Sequence, residues 1–140
     1  MPTLQVSCVQ MHWAKTLEFN LERTLFYIEK AAKEGSRVVL FPEANLTSYY
    51  FPYLITLQQE EVDAAFEKVK NATKQNNIWI IVGTIRQTSE KYLNVMHVIN
   101  PNGEIAHEYA KVNMAGKDEK KYCRGGDKLS FFEIDGIKCT

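Results

Sequence analysis

The sequence predicts an α/β domain in which helices pack against a sheet. Short runs rich in β-branched residues, typical of buried strands, alternate with two segments whose apolar residues recur at helical spacing. Two dipeptides typical of hairpin turns, Asn102-Gly103 and Asp135-Gly136, follow in the second half. The order strand, helix, strand, helix, strand and then hairpins predicts parallel strands joined by helical crossovers, with antiparallel strands added. The 140 residues fit one domain.

The first half of the chain carries the alternation of strands and helices. Residues 4–11 alternate apolar and polar side chains and predict a strand. Residues 20–33 predict a helix that Asn20 caps and Gly35 ends. The β-branched run at residues 37–41 ends at a proline and predicts a strand that is buried on both faces.

The middle of the chain predicts one more helix and then strands. A helix is expected to begin at Thr56, where Thr56 and Gln59 form a capping box. Residues 78–82 predict another buried strand. Residues 92–99 and 104–112 predict the two strands of a hairpin.

The last segment predicts a hairpin with a short second arm. Residues 129–134 predict a strand, and the arm that returns after the turn, residues 137–140, has only four residues. This pattern predicts that the sequence stops inside an element. We therefore expect residues 1–140 to be the N-terminal part of one domain that is incomplete at its C-terminus.

Composition excludes several classes of partner and cofactor. With 17 basic and 17 acidic residues the formal net charge is +0, so the chain lacks the positive field that nucleic acids require. It contains no apolar run of about 20 residues, which predicts no membrane partner. No secretory leader is recognised, which favours the cytoplasm. The three cysteines show no paired metal spacing, and the absence of a nucleotide-binding glycine motif weakens a nucleotide-binding interpretation.

Two charged residues occupy positions where catalytic groups occur. Glu43 follows a predicted buried strand, at the sheet edge where sites form in open α/β sheets, and could act as a general base. Its alternative role is a solvated loop acid or a helix cap. Lys111 lies near the end of a hairpin strand and could stabilise an oxyanion. Its alternative role is an edge-strand lysine that blocks strand pairing. Position alone favours the structural role for both residues.

The remaining polar residues give weaker signals. Residues 117–121 carry mixed charges and predict a solvated loop, in which Glu119 has no distinguishing feature. Cys8 and Cys139 lie in predicted strands and are expected to be small buried residues. The three histidines lack metal-ligand spacing and are expected at core or surface positions: His12, His97 and His107.

Taken together, the order and spacing of several motifs resemble the nitrilase (carbon–nitrogen hydrolase) superfamily over nearly the whole chain. The matching segments are Val9-Gln10-Met11, Asn20-Leu21-Glu22-Arg23, Phe41-Pro42-Glu43, Val82-Gly83-Thr84, Tyr92-Leu93-Asn94, Asn100-Pro101-Asn102-Gly103-Glu104, Tyr109-Ala110-Lys111 and Gly125-Gly126-Asp127. The resemblance implies that Glu43 is the general base, that Lys111 is the catalytic lysine and that Glu119 is the second glutamate beside it.

Some positions depart from the family pattern. Ser48 stands where glycine is usual, and Asn113 replaces a frequent histidine. Cys123 and Gly125 replace a common phenylalanine and proline. We expect these changes to reshape the pocket, so the substrate is the property they affect most.

The family's nucleophilic cysteine is expected just beyond Thr140. Cys139 comes too early on its strand to take that role, so the nucleophile is predicted to be absent from the chain. The chain by itself is therefore expected to be inactive.

The resemblance implies an α-β-β-α sandwich that hydrolyses amide, carbamoyl or nitrile carbon–nitrogen bonds through a thioester, without metal or cofactor, as a homo-oligomer. One alternative is a non-catalytic or split member that binds a partner chain. A weaker alternative is an unrelated α/β binding domain, which a large distance between Glu43 and Lys111 would favour.

Overall fold

The computed structural model describes residues 3–11 and 16–140, and a five-stranded sheet forms its centre. The spatial order of the strands follows the chain order, with the first three strands parallel and the third to fifth antiparallel. These strands are β1 (Val6–Cys8), β2 (Val38–Leu40), β3 (Trp79–Gln87), β4 (Tyr92–Ile99) and β5 (Ile105–Ala110). The predicted α/β class is confirmed, including the antiparallel strands added to a parallel start.

Helices connect the parallel strands and begin at different residues from those predicted. The described part of the chain contains the helices α1 (Leu17–Lys33), α2 (Phe51–Leu54), α3 (Gln59–Asn76) and α4 (Gly116–Tyr122). The predicted cap at Asn20 is wrong, because Thr16 caps α1 by accepting a hydrogen bond from the Phe19 N–H. Asn20 is instead buried inside the first turns of the helix, where its carbonyl accepts the Thr24 hydroxyl.

The predicted capping box of α3 is also shifted. Gln58 caps the helix, and the Glu61 carboxylate accepts the Gln58 N–H at 3.0 Å. The Thr56 hydroxyl donates instead to the Tyr53 carbonyl at 2.7 Å, so Thr56 closes the turn that precedes the helix. Because the Thr56 side chain is hydrogen-bonded within the preceding turn, it does not cap the next helix.

The two faces of the sheet are covered by different layers. Helices α1 and α3 cover one face, and the core between them and the sheet contains Ile28, Val39, Val69, Ile80, Val82 and Ile99. A separate hairpin of β6 (Phe132–Ile134) and β7 (Ile137–Cys139) packs on the other face, against Val38 and Val98. The described residues thus build one helical layer and the two β layers of the predicted α-β-β-α sandwich.

An ionic contact ties the hairpin to the large sheet. The Arg37 guanidinium pairs with Asp135, with Nη2 lying 3.0 Å from Oδ1, and the Trp79 indole N–H donates to the same carboxylate at 3.0 Å. The Asp135-Gly136 turn was predicted, and both residues adopt a positive φ.

Several strands are shorter or more exposed in the structure than the sequence predicts. The strand expected at residues 129–134 is reduced to β6, and Leu129 and Phe131 are exposed. Cys8 is exposed and Cys139 only half-buried, which corrects the prediction that both are buried. The strand at residues 37–41 was predicted to be buried on both faces, which is wrong for Leu40. This side chain is 37% exposed, because it lies on the hairpin face beyond the area that the hairpin covers.

Among residues 3–11 and 16–140, no helix combines the length and the apolar character needed to cross a membrane.

Candidate active site

Glu43 lies in a tight loop that follows β2. The Asn45 N–H donates to the Pro42 carbonyl, and the Leu46 N–H donates to the carbonyl of Gly83 on the neighbouring strand β3. A Cβ on Gly83 would lie 2.4 Å from the Ala44 backbone nitrogen, so only glycine lets the loop approach this closely. The close approach fixes Glu43 at the carboxyl end of the sheet, as predicted.

Lys111 directly follows β5 on the same face of the sheet. Its N–H donates to the Asn94 carbonyl of β4 at 2.8 Å, which continues the strand pairing by one residue. Its own carbonyl accepts the Gly126 N–H at 2.8 Å. Lys111 therefore has a fixed backbone with neighbours on both sides, and its side chain is 26% exposed.

Glu119 does not lie in a solvated loop, which corrects the prediction for residues 117–121. These residues belong to α4, and Glu119 is only 1% exposed while its charged neighbours face solvent. The Ala115 N–H before the helix donates to Glu119 Oε2 at 2.5 Å. Within this run of mixed charges, Glu119 is the one acid that is buried, and it lies on a helix of seven residues.

The structure brings the three predicted residues together. Lys111 Nζ lies 2.7 Å from Glu43 Oε1 and 3.1 Å from Glu119 Oε2. Asn94 Nδ2 donates to Glu43 Oε1 at 2.6 Å and to Glu119 Oε1 at 3.0 Å. One ammonium and one amide therefore join two carboxylates that are far apart in the sequence.

The hydrogen bonds keep Glu119 and Lys111 charged. Burial by itself would raise the pKa of Glu119, but donors from Tyr49, Asn94, the Ala115 N–H and Lys111 outweigh it and lower that pKa to about 2. Burial likewise opposes the charge on Lys111, and hydrogen bonds to the two carboxylates raise the pKa of Lys111 well above its usual range. Both groups are ionised at neutral pH.

Tyr49 is a further member of the site. Its hydroxyl lies near Glu119, and burial together with this carboxylate raises the pKa of Tyr49 above its usual range. The residue before it, Ser48, adopts a φ of 73°, in the left-handed region that glycine favours. This backbone conformation gives a physical reason for the glycine expected there from the family resemblance.

A cavity of about 270 Å³ opens beside the charged groups. Glu43, Lys111 and Asn94 form its polar end. The remaining wall is mostly apolar and includes Leu40, Phe41, Ile81, Val82, Met96 and Tyr109. A small molecule with one polar group matches such a cavity, because its polar group would meet the charged end and its carbon chain the apolar wall.

Cys123 and Gly125, two departures from the family pattern, lie near the site. The Cys123 thiol is buried, and burial with the nearby Glu119 carboxylate raises its pKa to about 11. It is therefore a protonated thiol at neutral pH. A Cβ on Gly125 would lie 2.6 Å from the Val112 carbonyl oxygen, so this position has no room for a side chain.

The histidines lie apart from this cluster. His97 is buried on the opposite face of the sheet, and His107 contacts the hydroxyl of Ser130. The prediction for His12 falls outside the described residues. Within the described ranges, no group of three or more His, Cys, Asp and Glu side chains is arranged to hold a metal ion.

Sequence reasoning missed the roles of Asn94 and Tyr49. Asn94 had one usable signal, because Asn94 and His97 are polar residues in the mostly apolar segment Tyr92–Ile99. Tyr49 had none, since a tyrosine in a loop is common and its partner Glu119 is distant in the sequence.

Comparison with known proteins gives the family to which this fold belongs. A sequence profile of the carbon–nitrogen hydrolase family matches residues 5–139. The chain belongs to this family, which excludes the alternative of an unrelated binding domain.

The chain is also similar to curated amidases. It is 32% identical to 2-oxoglutaramate amidase of Bacillus subtilis (strain 168), over 96% of this chain and 53% of the relative. It is 24% identical to omega-amidase NIT2 of Mus musculus, over 99% of this chain and 53% of the relative. The chain thus spans about half the length of the curated relatives it matches.

Solved structures share the fold. An amidase from Nesterenkonia sp. AN1 in complex with butyramide superposes with a TM-score of 0.88 and 19% identity, over 96% of this chain and 53% of that chain. Another structure of the amidase, with a TM-score of 0.89 and 18% identity, shows acrylamide added at the active-site cysteine, over 97% of this chain and 55% of that chain. At this identity the likeness establishes the fold alone.

Proposed function

We propose that this chain supplies the general base and the lysine of an amide hydrolase whose nucleophilic cysteine lies beyond Thr140. The observation that carries the proposal is the shared position of Lys111, within 2.7 Å of Glu43 and 3.1 Å of Glu119 at the polar end of the cavity. On this proposal residues 1–140 are the N-terminal part of one catalytic domain.

The two glutamates would have different roles, because one is buried and the other is exposed to the cavity. Glu119 is buried and accepts hydrogen bonds from Asn94, the Ala115 N–H and Lys111, so it would stay ionised and hold Lys111 in place. The Glu43 side chain is 51% exposed and lines the cavity, so it can exchange protons with a reacting group. Glu43 would be the proton carrier and Glu119 the fixed anchor.

The reaction would proceed through a thioester. Glu43 takes the thiol proton as sulfur attacks the amide carbon, and Lys111 stabilises the oxyanion. The oxyanion collapses, the carbon–nitrogen bond breaks, and Glu43 returns the proton to the departing ammonia. Glu43 then accepts a proton from water as the water oxygen attacks the thioester. The carboxylic acid leaves and the thiol is restored, so one amide and one water give one acid and one ammonia.

Small amides are the substrate class that we favour over nitriles and carbamoyl compounds. The matched curated relatives are described as amidases, and a fold relative is described in complex with butyramide. The apolar wall of the cavity suits a short carbon chain beside the carbonyl group.

The test is ammonia release from butyramide by the protein expressed from the reading frame continued past Thr140. We expect turnover, and we expect the Glu43→Gln variant to lose at least about 100-fold in kcat because it cannot carry a proton. Glu104→Gln, an exposed acid in the β4–β5 turn, is the matched control and should retain activity. Undiminished turnover in Glu43→Gln would refute the proposed base.

The chain ending at Thr140 gives a second test. We expect no ammonia release from it, because the nucleophile is missing. Turnover that disappears in Cys139→Ala would instead place the nucleophile inside the chain. A stop codon at this point, with co-purification of a second polypeptide that carries the cysteine strand, would favour the split form. The homo-oligomer and the cytoplasmic location stay predictions.

A further inference from the structure

We propose that Asn94 is a positioning residue, whose amide holds the Glu43 and Glu119 carboxylates on either side of the Lys111 ammonium. The inference rests on the proposed function and adds to it the group that orients the base. Asn94 Nδ2 is 2.6 Å from Glu43 Oε1 and 3.0 Å from Glu119 Oε1. An asparagine amide has two N–H donors, so each carboxylate can receive one.

The charge balance of the cluster explains why a neutral donor is needed. Two carboxylates share one ammonium, so their mutual repulsion is only partly neutralised. An amide adds hydrogen bonds to both acids without adding charge. Leucine has a similar shape but no donor, whereas aspartate would bring a third negative group next to the other two.

The backbone of Asn94 gives the side chain a fixed origin. It pairs with Ile85 of β3 on one side, and its carbonyl accepts the Lys111 N–H on the other at 2.8 Å. The residue is only 4% exposed, so its amide cannot turn toward solvent. A donor fixed in this way can set the direction of a carboxylate that would otherwise be free to rotate.

Glu43 is the acid that needs this direction. Its side chain is half-exposed, and Oε1 receives both the Lys111 ammonium and the Asn94 amide. Within residues 3–11 and 16–140, Oε2 has no hydrogen bond of its own, which leaves this oxygen for a reacting proton. Without Asn94, Lys111 would be the single contact that orients the base.

The test is an NMR titration of the Glu119 carboxyl carbon in the chain as it stands, with Asn94→Leu and Asn94→Asp as variants. In the unaltered chain Glu119 should titrate at a pH of about 2. We expect its pKa to rise by about one unit or more in Asn94→Leu, equivalent to tenfold tighter proton binding, and further in Asn94→Asp. A folded Asn94→Leu variant that titrates like the unaltered chain would overturn the proposal.

The matched control is Thr84→Val, which also removes a buried hydrogen bond from the same sheet. Thr84 is 3% exposed and contacts His97 on the opposite face, so general loosening would appear in this variant too. The Glu119 titration should be unchanged in it. An equal shift in Thr84→Val would show that Asn94 acts only through stability, and would overturn a positioning role.

A second measurement keeps the proposal testable if Asn94→Leu does not fold. In the unaltered chain the two side-chain amide protons of Asn94 should give separate resonances, exchange slowly with water and shift as Glu119 titrates. The amide of the exposed Asn102 supplies the reference for free exchange. Equal exchange at Asn94 and Asn102 would overturn the proposal. Neither measurement involves turnover, so a failure of amide hydrolysis would refute the proposed function and leave this result standing.

Discussion

Two clusters of buried polar residues lie on opposite faces of β4. One of them holds an ionised side chain at neutral pH, and the other holds a neutral one. Asn94 belongs to the candidate site, whereas His97 lies on the helical face and packs its ring against Phe66 of α3. Both residues are 4% exposed. On the site face the pKa of Glu119 falls to about 2, so a charge is retained. On the helical face burial lowers the pKa of His97 to about 4, so the imidazole is neutral at pH 7.

A buried residue keeps its charge when enough neighbouring donors or opposite charges offset the effect of burial. Burial is the largest influence on both groups and favours the neutral form of each. Around Glu119 several donors outweigh it. Around His97 one carboxylate, Glu108 at 2.9 Å, favours the charge, and that carboxylate is itself paired with Arg86 at 3.1 Å. The helical face therefore lacks the charge compensation that the site provides.

The largest expected effect comes from removing the anchor of the site cluster. Glu119→Leu should lower the free energy of unfolding by about 3–5 kcal/mol, because it leaves Lys111 and the buried donors without their carboxylate. Urea denaturation measures the loss. The adjacent Asp118 is exposed, so Asp118→Asn should change stability by less than about 1 kcal/mol. Similar values for the two variants would contradict the role of Glu119 as a buried anchor.

The sequence predicted two of the three candidate residues at the ends of strands. Glu43 follows β2 as predicted, whereas Lys111, predicted near the end of a strand at residues 104–112, lies one residue beyond β5. Strand ends are marked locally by β-branched runs, a proline and a hairpin turn. Glu119 was identified only by the family resemblance. Its helix has seven residues and is too short for a periodic pattern to show which side is buried.

The partners that tune the site could not be predicted in this way. Asn94 meets Glu43 across 51 positions and Glu119 across 25, and such contacts depend on how the strands are paired. Pairing of β3 with β4 places Asn94 on the same face as Ile85, opposite to Thr84. A local pattern could show that residue 94 is polar, but the neighbours on its face follow from the register of the whole sheet.

A smaller effect is expected on the helical face when the pH falls. The folded pKa of His97, about 4, lies below its value of 6.5 in the unfolded chain, so the unfolded state binds more protons between these values. The free energy of unfolding should have its full value above pH 6.5. It should fall by about 2–3 kcal/mol as the pH drops toward 4. The charged groups that act on the pKa of His97 are Glu108 and Arg86 on neighbouring strands, and Asp63 of α3 lines the same cavity.

Urea denaturation at pH 7 and pH 4.5 measures this loss. His97→Leu should lose less stability between the two pH values, because it has no imidazole to protonate. Met96→Leu, which changes a half-buried residue of β4 on the other face and removes no titratable group, is the control and should lose as much as the unaltered chain. Equal losses in all three proteins would show that other groups govern the acid response.

The smallest effect should come from the partly exposed ion pair between the hairpin and the large sheet. Arg37 and Asp135 are 37% and 36% exposed, so solvent screens a pair that would be strong if buried. Asp135→Asn should therefore cost only about 1 kcal/mol or less, with a cost that shrinks in high salt. Because the Trp79 indole donates to the same carboxylate, its fluorescence reports on the contact once the second tryptophan is replaced by Trp13→Phe. Glu133→Gln, an exposed change on the same hairpin, is the control. A loss as large as that of Glu119→Leu would mean that solvent exposure does not separate the two ionic clusters, and the contrast drawn from burial would fail.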